Sequence, residues 1–262
     1  MCLLAVAFHQ HPDAPLVVTS NRDEYYSRPT RAMHWWDDAP VLAGRDLQAN
    51  GTWMGVTRGG RFAAITNYRN VPEGGKTPER PLSRGNLVKD FLCADTRAGQ
   101  WARDIRPALP DYGEFNLLVY DGHELLYLNN YHDDVAKKLE PGFYALSNSL
   151  LDSPWPKVDY ARDRLRASLE RAALIDGALI NQLLDNLALQ QTYAPHLLPK
   201  TGVPPEWEEI LSSPFIVAPG YGTRASTVLV MFATGEVKVV ERNFDAGKKT
   251  SEASFGFSVA TR

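Results

Sequence analysis

The residue with the most chemistry to offer is a cysteine at position 2. It follows a methionine, and a small residue in second place is the usual setting for removal of the initiator. That removal would leave Cys2 with a thiol and a free α-amine on one residue. An α-amine has an ordinary pKa of about 7.7–8, so part of it is neutral near pH 7. It can then act as general base for its own thiol. The same cysteine also reads as a small apolar residue opening a strand, since free cysteines are often buried.

Other groups could serve a nucleophile placed there. Ser20-Asn21-Arg22-Asp23-Glu24 comes shortly after Cys2. An Arg beside a thiol favours the thiolate, and an Asp can hold or orient an α-ammonium. Alternatively, the segment is a charged turn whose Arg and Asp pair in solvent. Asn67, Asn116 and Asn148 read as polar ends of three apolar strands. Amides so placed can stabilise an oxyanion, or they cap turns. Arg224, in Gly220-Tyr221-Gly222-Thr223-Arg224, suits either a carboxylate ligand or an edge ion pair.

These residues need elements to position them. Strands are expected at Cys2–His9 and Leu16–Ser20, joined by the Pro/Asp-rich turn at residues 10–15. Three hairpins are signalled: Thr52–Arg58 with Arg61–Asn67, Phe115–Tyr120 with Glu124–Asn129, and Ser226–Phe232 with Glu236–Arg242. Thr227–Phe232 is apolar on both faces, which predicts cover on both sides. Val158, Ala161, Leu165, Leu169 and Ala172 form a helical stripe, led in by Pro154-Trp155-Pro156. Leu179, Ile180, Leu183, Leu184 and Leu187 form a second stripe. Shorter helices are expected at Arg84–Ala94 and Gln100–Leu109. Gly142 closes a loop, and Ala194–Pro205 is a loop or edge segment. Strands, then helices, then strands argue for layered α and β rather than alternating βαβ units. The Gly-rich nucleotide fingerprint and the Walker sequence are both missing.

Composition narrows the partners. The 262 residues are 44% hydrophobic and 23% charged, with net charge −3. Nothing here favours nucleic acid or an anionic membrane. Two cysteines make no disulfide framework, which suits a reducing, cytoplasmic setting. No stretch has the roughly 18 apolar residues of a membrane span, and Leu3–Phe8 is too short for a secretory signal.

Asn21-Arg22-Asp23-Glu24 close behind Met-Cys resembles the signature of the NRDE family, also called the transport and Golgi organisation protein 2 family. Gly51-Thr52-Trp53-Met54-Gly55, Thr66-Asn67-Tyr68-Arg69, Leu146-Ser147-Asn148-Ser149 with Pro154-Trp155-Pro156-Lys157, and Tyr221-Gly222-Thr223-Arg224 fit the same pattern in order. The resemblance implies a single domain over residues 1–262 and an α+β fold, the four-layer αββα sandwich of N-terminal-nucleophile hydrolases. Its cysteine branch, with choloylglycine hydrolase and penicillin V acylase, looks most similar. By that likeness Cys2, Arg22, Asp23, Asn67, Asn148 and Arg224 form the catalytic set for hydrolysis of an amide or acyl bond, with no metal or cofactor required. One departure stands out: Arg22 and Asp23 are adjacent here, whereas those hydrolases separate them by two residues. Adjacent residues of a strand face opposite ways.

The resemblance also implies an alternative, a carrier of haem or of acyl-lipid or acyl-CoA. His9, His11, His34, His123, His132 and His196 stand in no haem-attachment motif. Trp35, Trp36, Tyr25 and Tyr26 could wall such a cleft or belong to the core.

Overall fold

Runs of alternating and β-branched residues set most of the strands, and backbone pairing sets the rest. The computed structural model describes residues 2–72, 75, 80–131 and 136–260. In chain order come β1 (Cys2–His11), β2 (Ala14–Tyr25), β3 (Thr30–Trp35), β4 (Val41–Asp46), β5 (Met54–Thr57) and β6 (Phe62–Asn67). Helices α1 (Arg84–Cys93) and α2 (Ala98–Ile105) follow, then β7 (Phe115–Tyr120), β8 (Leu125–Asn129), β9 (Ala136–Lys138) and β10 (Gly142–Leu146). The last stretch holds α3 (Pro156–Arg171), α4 (Gly177–Asn186), α5 (Pro205–Ser212), β11 (Val217–Ala218), β12 (Tyr221–Met231), β13 (Glu236–Asp245) and β14 (Lys248–Ser258). The fold class is α+β, with two antiparallel sheets.

The chain divides into two compact units. The first comprises Met1–Ser27, Arg69–Thr77 and Pro141–Gly256; the second comprises Arg28–Tyr68, Pro78–Glu140 and Phe257–Arg262. In the first, the sheet runs β10-β1-β2-β12-β13-β14, with β11 on β12. Leu3, Ala5 and Ala7 of β1 and Val17 of β2 pack against Val158, Ala161, Leu165, Leu183 and Leu184 of α3 and α4. One face of this sheet is therefore the helix face, and Cys2, Leu4, Val6 and Phe8 point to the other. Asp176 caps α4, its side chain accepting from Leu179 N at 2.9 Å.

In the second unit, β3 to β9 pair in sequence order. Val41, Ala43, Ala63, Ile65, Leu117 and Val119 pack on Leu87, Val88 and Phe91 of α1 and Trp101 of α2.

Several boundaries differ from expectation. The first turn is shorter than residues 10–15, because β1 reaches His11 through a bulge where His9 has φ 50°. The segment Asn21–Glu24 is strand, not turn, and the strand expected from Ser226 already begins at Tyr221. The two polar segments pair with each other: Tyr221 opposes Tyr25, Thr223 opposes Asp23, and Ala225 opposes Arg22. Neither carries an apolar alternation, but each satisfies the other's backbone groups. Gly142 stands where a loop closes, as the first residue of β10. Helix α5 was hidden by Pro204-Pro205, which reads as loop but places a proline at the helix start, where its missing N–H costs nothing. The segment read as one helix at Gln100–Leu109 is α2 followed by a 3₁₀ turn over Arg106–Asp111. Thr227–Met231 is buried throughout, as its two-sided apolar pattern requires.

Gly222 marks the tightest fit in the β2–β12 segment. A Cβ there would collide with Tyr26 Oη and with the Ile216 carbonyl. Gly222→Ala should lower stability by about 1–3 kcal/mol, the usual range for overpacking. Urea unfolding measures it, and an unchanged midpoint would mean that Tyr26 and the Ile216 backbone both give way freely.

Candidate functional site

Strand register brings the first two residues together. Cys2 lies directly opposite Arg22 across β1 and β2. Directly opposed residues share a face, with side chains about 4.5–5.5 Å apart at Cβ. Arg22 is buried, and its guanidinium lies 3.9 Å from the Glu24 carboxylate, two residues on and on the same face.

Asp23 takes the other face. Asn21 shows which one that is: its amide donates to the carbonyls of Leu187 and Pro214, each at 2.8 Å, and accepts from Ser226 Oγ at 2.6 Å. Asn21 thus ties the sheet to the helix layer and has its bonding capacity spent on the fold. Asp23 shares that face. Thr223 Oγ1 donates to Asp23 Oδ1 at 2.7 Å, and Ile216 N donates to Thr223 Oγ1 at 2.9 Å. The adjacency of Arg22 and Asp23 therefore divides them: Arg22 accompanies the thiol, and Asp23 faces the helices.

A buried lysine awaits Asp23 there. Lys157 sits in the first turn of α3, 2% exposed, and donates to the Leu211 carbonyl at 2.7 Å. Burial pulls its pKa down to about 8, while the Asp23 charge holds it up and Arg69 opposes it. Burial conversely raises the Asp23 carboxyl, and Lys157 is the leading charge opposing that rise. Burial also pushes the Cys2 thiol up; Asp23 adds to the rise and Arg22 works against it. The thiol is thus no ready-made thiolate and needs a base to react.

Asn148 is brought to the same edge. Leu4 opposes Leu146 across β1 and β10, so the chain beyond β10 runs back alongside Cys2. Ser147 Oγ shares its one proton between the Cys2 carbonyl at 3.1 Å and Asn148 Oδ1 at 3.3 Å. This orients the fully buried Asn148 amide with its NH₂ end as the donor end. The Asn148 carbonyl accepts from Arg69 N at 2.8 Å. Arg69 in turn pairs with Glu208 at 2.9 Å, both side chains being buried. Glu208 also accepts from Thr201 N and Oγ1, which supplies the extra bonds that a buried ion pair needs.

The remaining candidates lie on other strands. Arg224 lies in the bulge of β12 between Thr223 and Ala225, two strands from Cys2. Its guanidinium donates to the carbonyls of Tyr25 and Tyr26 at 2.9 and 3.1 Å. Asn67 ends β6 in the second unit, opposite Phe115. Asn116 is not a strand end but lies inside β7, where Tyr127 Oη donates to its Oδ1 at 2.6 Å. Trp36 is core, its indole donating to the Ala43 carbonyl at 3.1 Å, whereas Trp35 is half-buried and Tyr25 exposed. His9, His123 and His196 are exposed and His34 is half-buried; His11 is buried, accepting from Asp13 N. His132 lies outside the described residues.

Three residues of this cluster were missed as chemistry: Lys157, Ser147 and Glu208. Lys157 left a signal, since it precedes Ala161, Leu165 and Leu169 at four-residue steps and so stands in the apolar stripe. Glu208 left none.

A model of the family described as Transport and Golgi organisation 2 matches residues 1–246. The chain belongs to this family. A Transport and Golgi organization protein 2 homolog from Bos taurus is 32% identical over 264 residues, covering 93% of each chain. The homolog from Homo sapiens is 31% identical over 260 residues with the same coverage. Among solved structures, a mutant conjugated bile acid hydrolase from Clostridium perfringens is similar at TM-score 0.54 and 10% identity, covering 97% of this chain and 92% of that one. That likeness shows a shared fold, the N-terminal-nucleophile hydrolase fold that the motifs imply. No helix among the described residues is long and apolar enough to cross a membrane.

Lys157 makes a pH prediction. In the folded chain it loses its proton near 8, but in the unfolded chain only near its ordinary 10.5. Between those values the unfolded chain binds more protons, so this lysine makes stability rise with pH across the window. Lys157→Met should flatten that rise. Denaturant unfolding at about pH 7.5 and about pH 9.5 tests the sign, and equal slopes for both chains would refute it.

Proposed function

We propose that this member of the family is an N-terminal-cysteine hydrolase acting on an amide or acyl bond of a small molecule. The observation that carries the reading is the register of Cys2 directly against Arg22, with the oriented Asn148 amide beside the same strand end. The hydrolase fold supports it, since that fold presents its nucleophile at the start of the chain. The bile acid hydrolase that shares the fold is itself, by its name, a hydrolase.

With Met1 removed, Cys2 Sγ attacks the carbonyl carbon and passes its proton to the α-amine. The carbonyl oxygen becomes an oxyanion, to which Asn148 donates. Collapse breaks the bond to the leaving group, which takes the proton back from the ammonium. A water then hydrolyses the thioester by the same route. Arg22 stabilises the developing thiolate, and Asp23 at the neighbouring position steadies the ammonium form. A base is required because burial and Asp23 hold the thiol above its ordinary value. The α-amine, ordinarily near 7.7–8, suits that task at neutral pH.

Intact-mass measurement should find the chain without Met1, and an acylating ester should leave one adduct on Cys2. The acylation rate should rise with pH through the α-amine range. Cys2→Ala should abolish the adduct, and Asn148→Ala should slow its formation by roughly 10²–10³, the usual cost of an oxyanion donor. Retention of Met1, or no adduct on Cys2, would end this reading. A haem or acyl-CoA complex that survives Cys2→Ala would favour a carrier instead.

A further inference from the structure

Ser147 comes directly after β10 and is 1% exposed. Its hydroxyl stands between two residues of the candidate site. Oγ lies 3.1 Å from the Cys2 carbonyl oxygen and 3.3 Å from Asn148 Oδ1. One side chain therefore touches both the residue that carries the thiol and the amide placed to receive an oxyanion. The backbone at this point is held without that hydroxyl. Asp152 closes the loop on β10: its carboxylate accepts from Ala145 N at 2.8 Å, and its own N–H donates to the Ala145 carbonyl at 2.9 Å. Ser153 Oγ braces Ser149 Oγ at 2.9 Å and the Leu150 carbonyl at 2.8 Å. Arg69 N donates to the Asn148 carbonyl at 2.8 Å. The path of the loop thus has bonds of its own, and what the Ser147 hydroxyl adds is the direction of a side chain. The terminal torsion of an asparagine is broad, so its amide keeps one direction only where bonds fix it. A bond accepted at Oδ1 also polarises the amide and strengthens what its NH₂ donates.

We propose that Ser147 is a positioning residue for acyl transfer and that it acts through Asn148. Its hydroxyl ties the Asn148 amide to the backbone of Cys2, so that donor and nucleophile keep one separation. When charge develops on the substrate's carbonyl oxygen, the Asn148 NH₂ donates to it and Oδ1 gains negative charge. The Ser147 proton then settles on Oδ1 rather than on the Cys2 carbonyl, and the chain from Ser147 through Asn148 to the oxyanion strengthens as a unit. This rests on the reading of Cys2 as nucleophile and Asn148 as oxyanion donor. Ser147 itself makes no bond to the substrate.

A double-mutant cycle tests it, with the wild type, Ser147→Ala, Asn148→Ala and the doubly substituted chain. Each is followed with two reagents, read on the Cys2 peptide by mass spectrometry so that Cys93 does not contribute. With p-nitrophenyl hexanoate, the Sγ–carbon bond forms, the aryl ester C–O bond breaks, the thiol proton goes to the α-amine, and p-nitrophenolate leaves. With methyl methanethiosulfonate, Sγ attacks sulfur, the thiol proton again goes to the α-amine, and methanesulfinate leaves, with no carbonyl involved. Ser147→Ala should slow acylation about tenfold, less than removal of the donor itself, and leave the thiosulfonate reaction unchanged. On the Asn148→Ala background the same substitution should have no further effect, because residues that act as one unit are not additive. Ser147→Thr keeps the hydroxyl and should acylate at nearly the wild-type rate. Equal slowing by Ser147→Ala on both backgrounds would overturn this inference alone, since the serine would then serve the fold or Cys2 directly. So would an unslowed Ser147→Ala, a Ser147→Thr as slow as Ser147→Ala, or a loss of thiosulfonate reactivity in Ser147→Ala. An Asn148→Ala chain that acylates like the wild type would remove the oxyanion assignment and this inference with it. A wild type that the ester does not acylate would overturn the nucleophile reading itself.

Discussion

The ladder linking β1, β2 and β12 is the constraint on which the rest of the first unit depends. Cys2 opposes Arg22, and Arg22 opposes Ala225. Because side chains alternate along a strand, this register decides every orientation nearby. A slip of one residue would put Asp23 beside the thiol and bury Arg22 against the helices. Asn21 resists that slip, since its amide holds two carbonyls of the helix layer and accepts from Ser226. The asparagine of the motif is thus a register pin, whereas the arginine after it is a candidate for chemistry.

Burial of charge is the second theme. Arg22, Asp23, Lys157, Arg69 and Glu208 all have buried side chains in the first unit. Groups so desolvated persist only where they are paired or bonded. Arg69 and Glu208 meet that condition, with Thr201 supplying further bonds. Lys157 meets it in part, through one carbonyl and the field of Asp23, and its depressed pKa reflects the remainder. The cluster holds a thiol, a carboxyl and an ammonium whose protonation is mutually dependent. Such coupling is the usual accompaniment of a working site.

How much of this could be read beforehand varies by element. Hairpins built on apolar runs around a turn signal, such as β7–β8, were plain, because each strand announces itself locally. The helical stripe of α3 was equally plain, and it even displayed Lys157 as a charge out of place. The paired segments 21–25 and 221–225 were not legible, because each is polar and each is a strand only by virtue of the other. Helix α5 was hidden by its prolines, and the Arg69–Glu208 pair links residues 139 apart.

The amino-acid sequence alone determined the α+β class, the place of a cysteine at the head of the first strand, and the family to which the chain belongs. Those properties reside in local periodicity and in short motifs that keep their order. Tertiary structure alone decided which face each motif residue takes. Arg22 goes with Cys2, Asp23 with Lys157, and Arg224 to the backbone of Tyr25 and Tyr26. The physical reason is that orientation follows from register between strands distant in sequence, and register is set by pairing that no single segment contains.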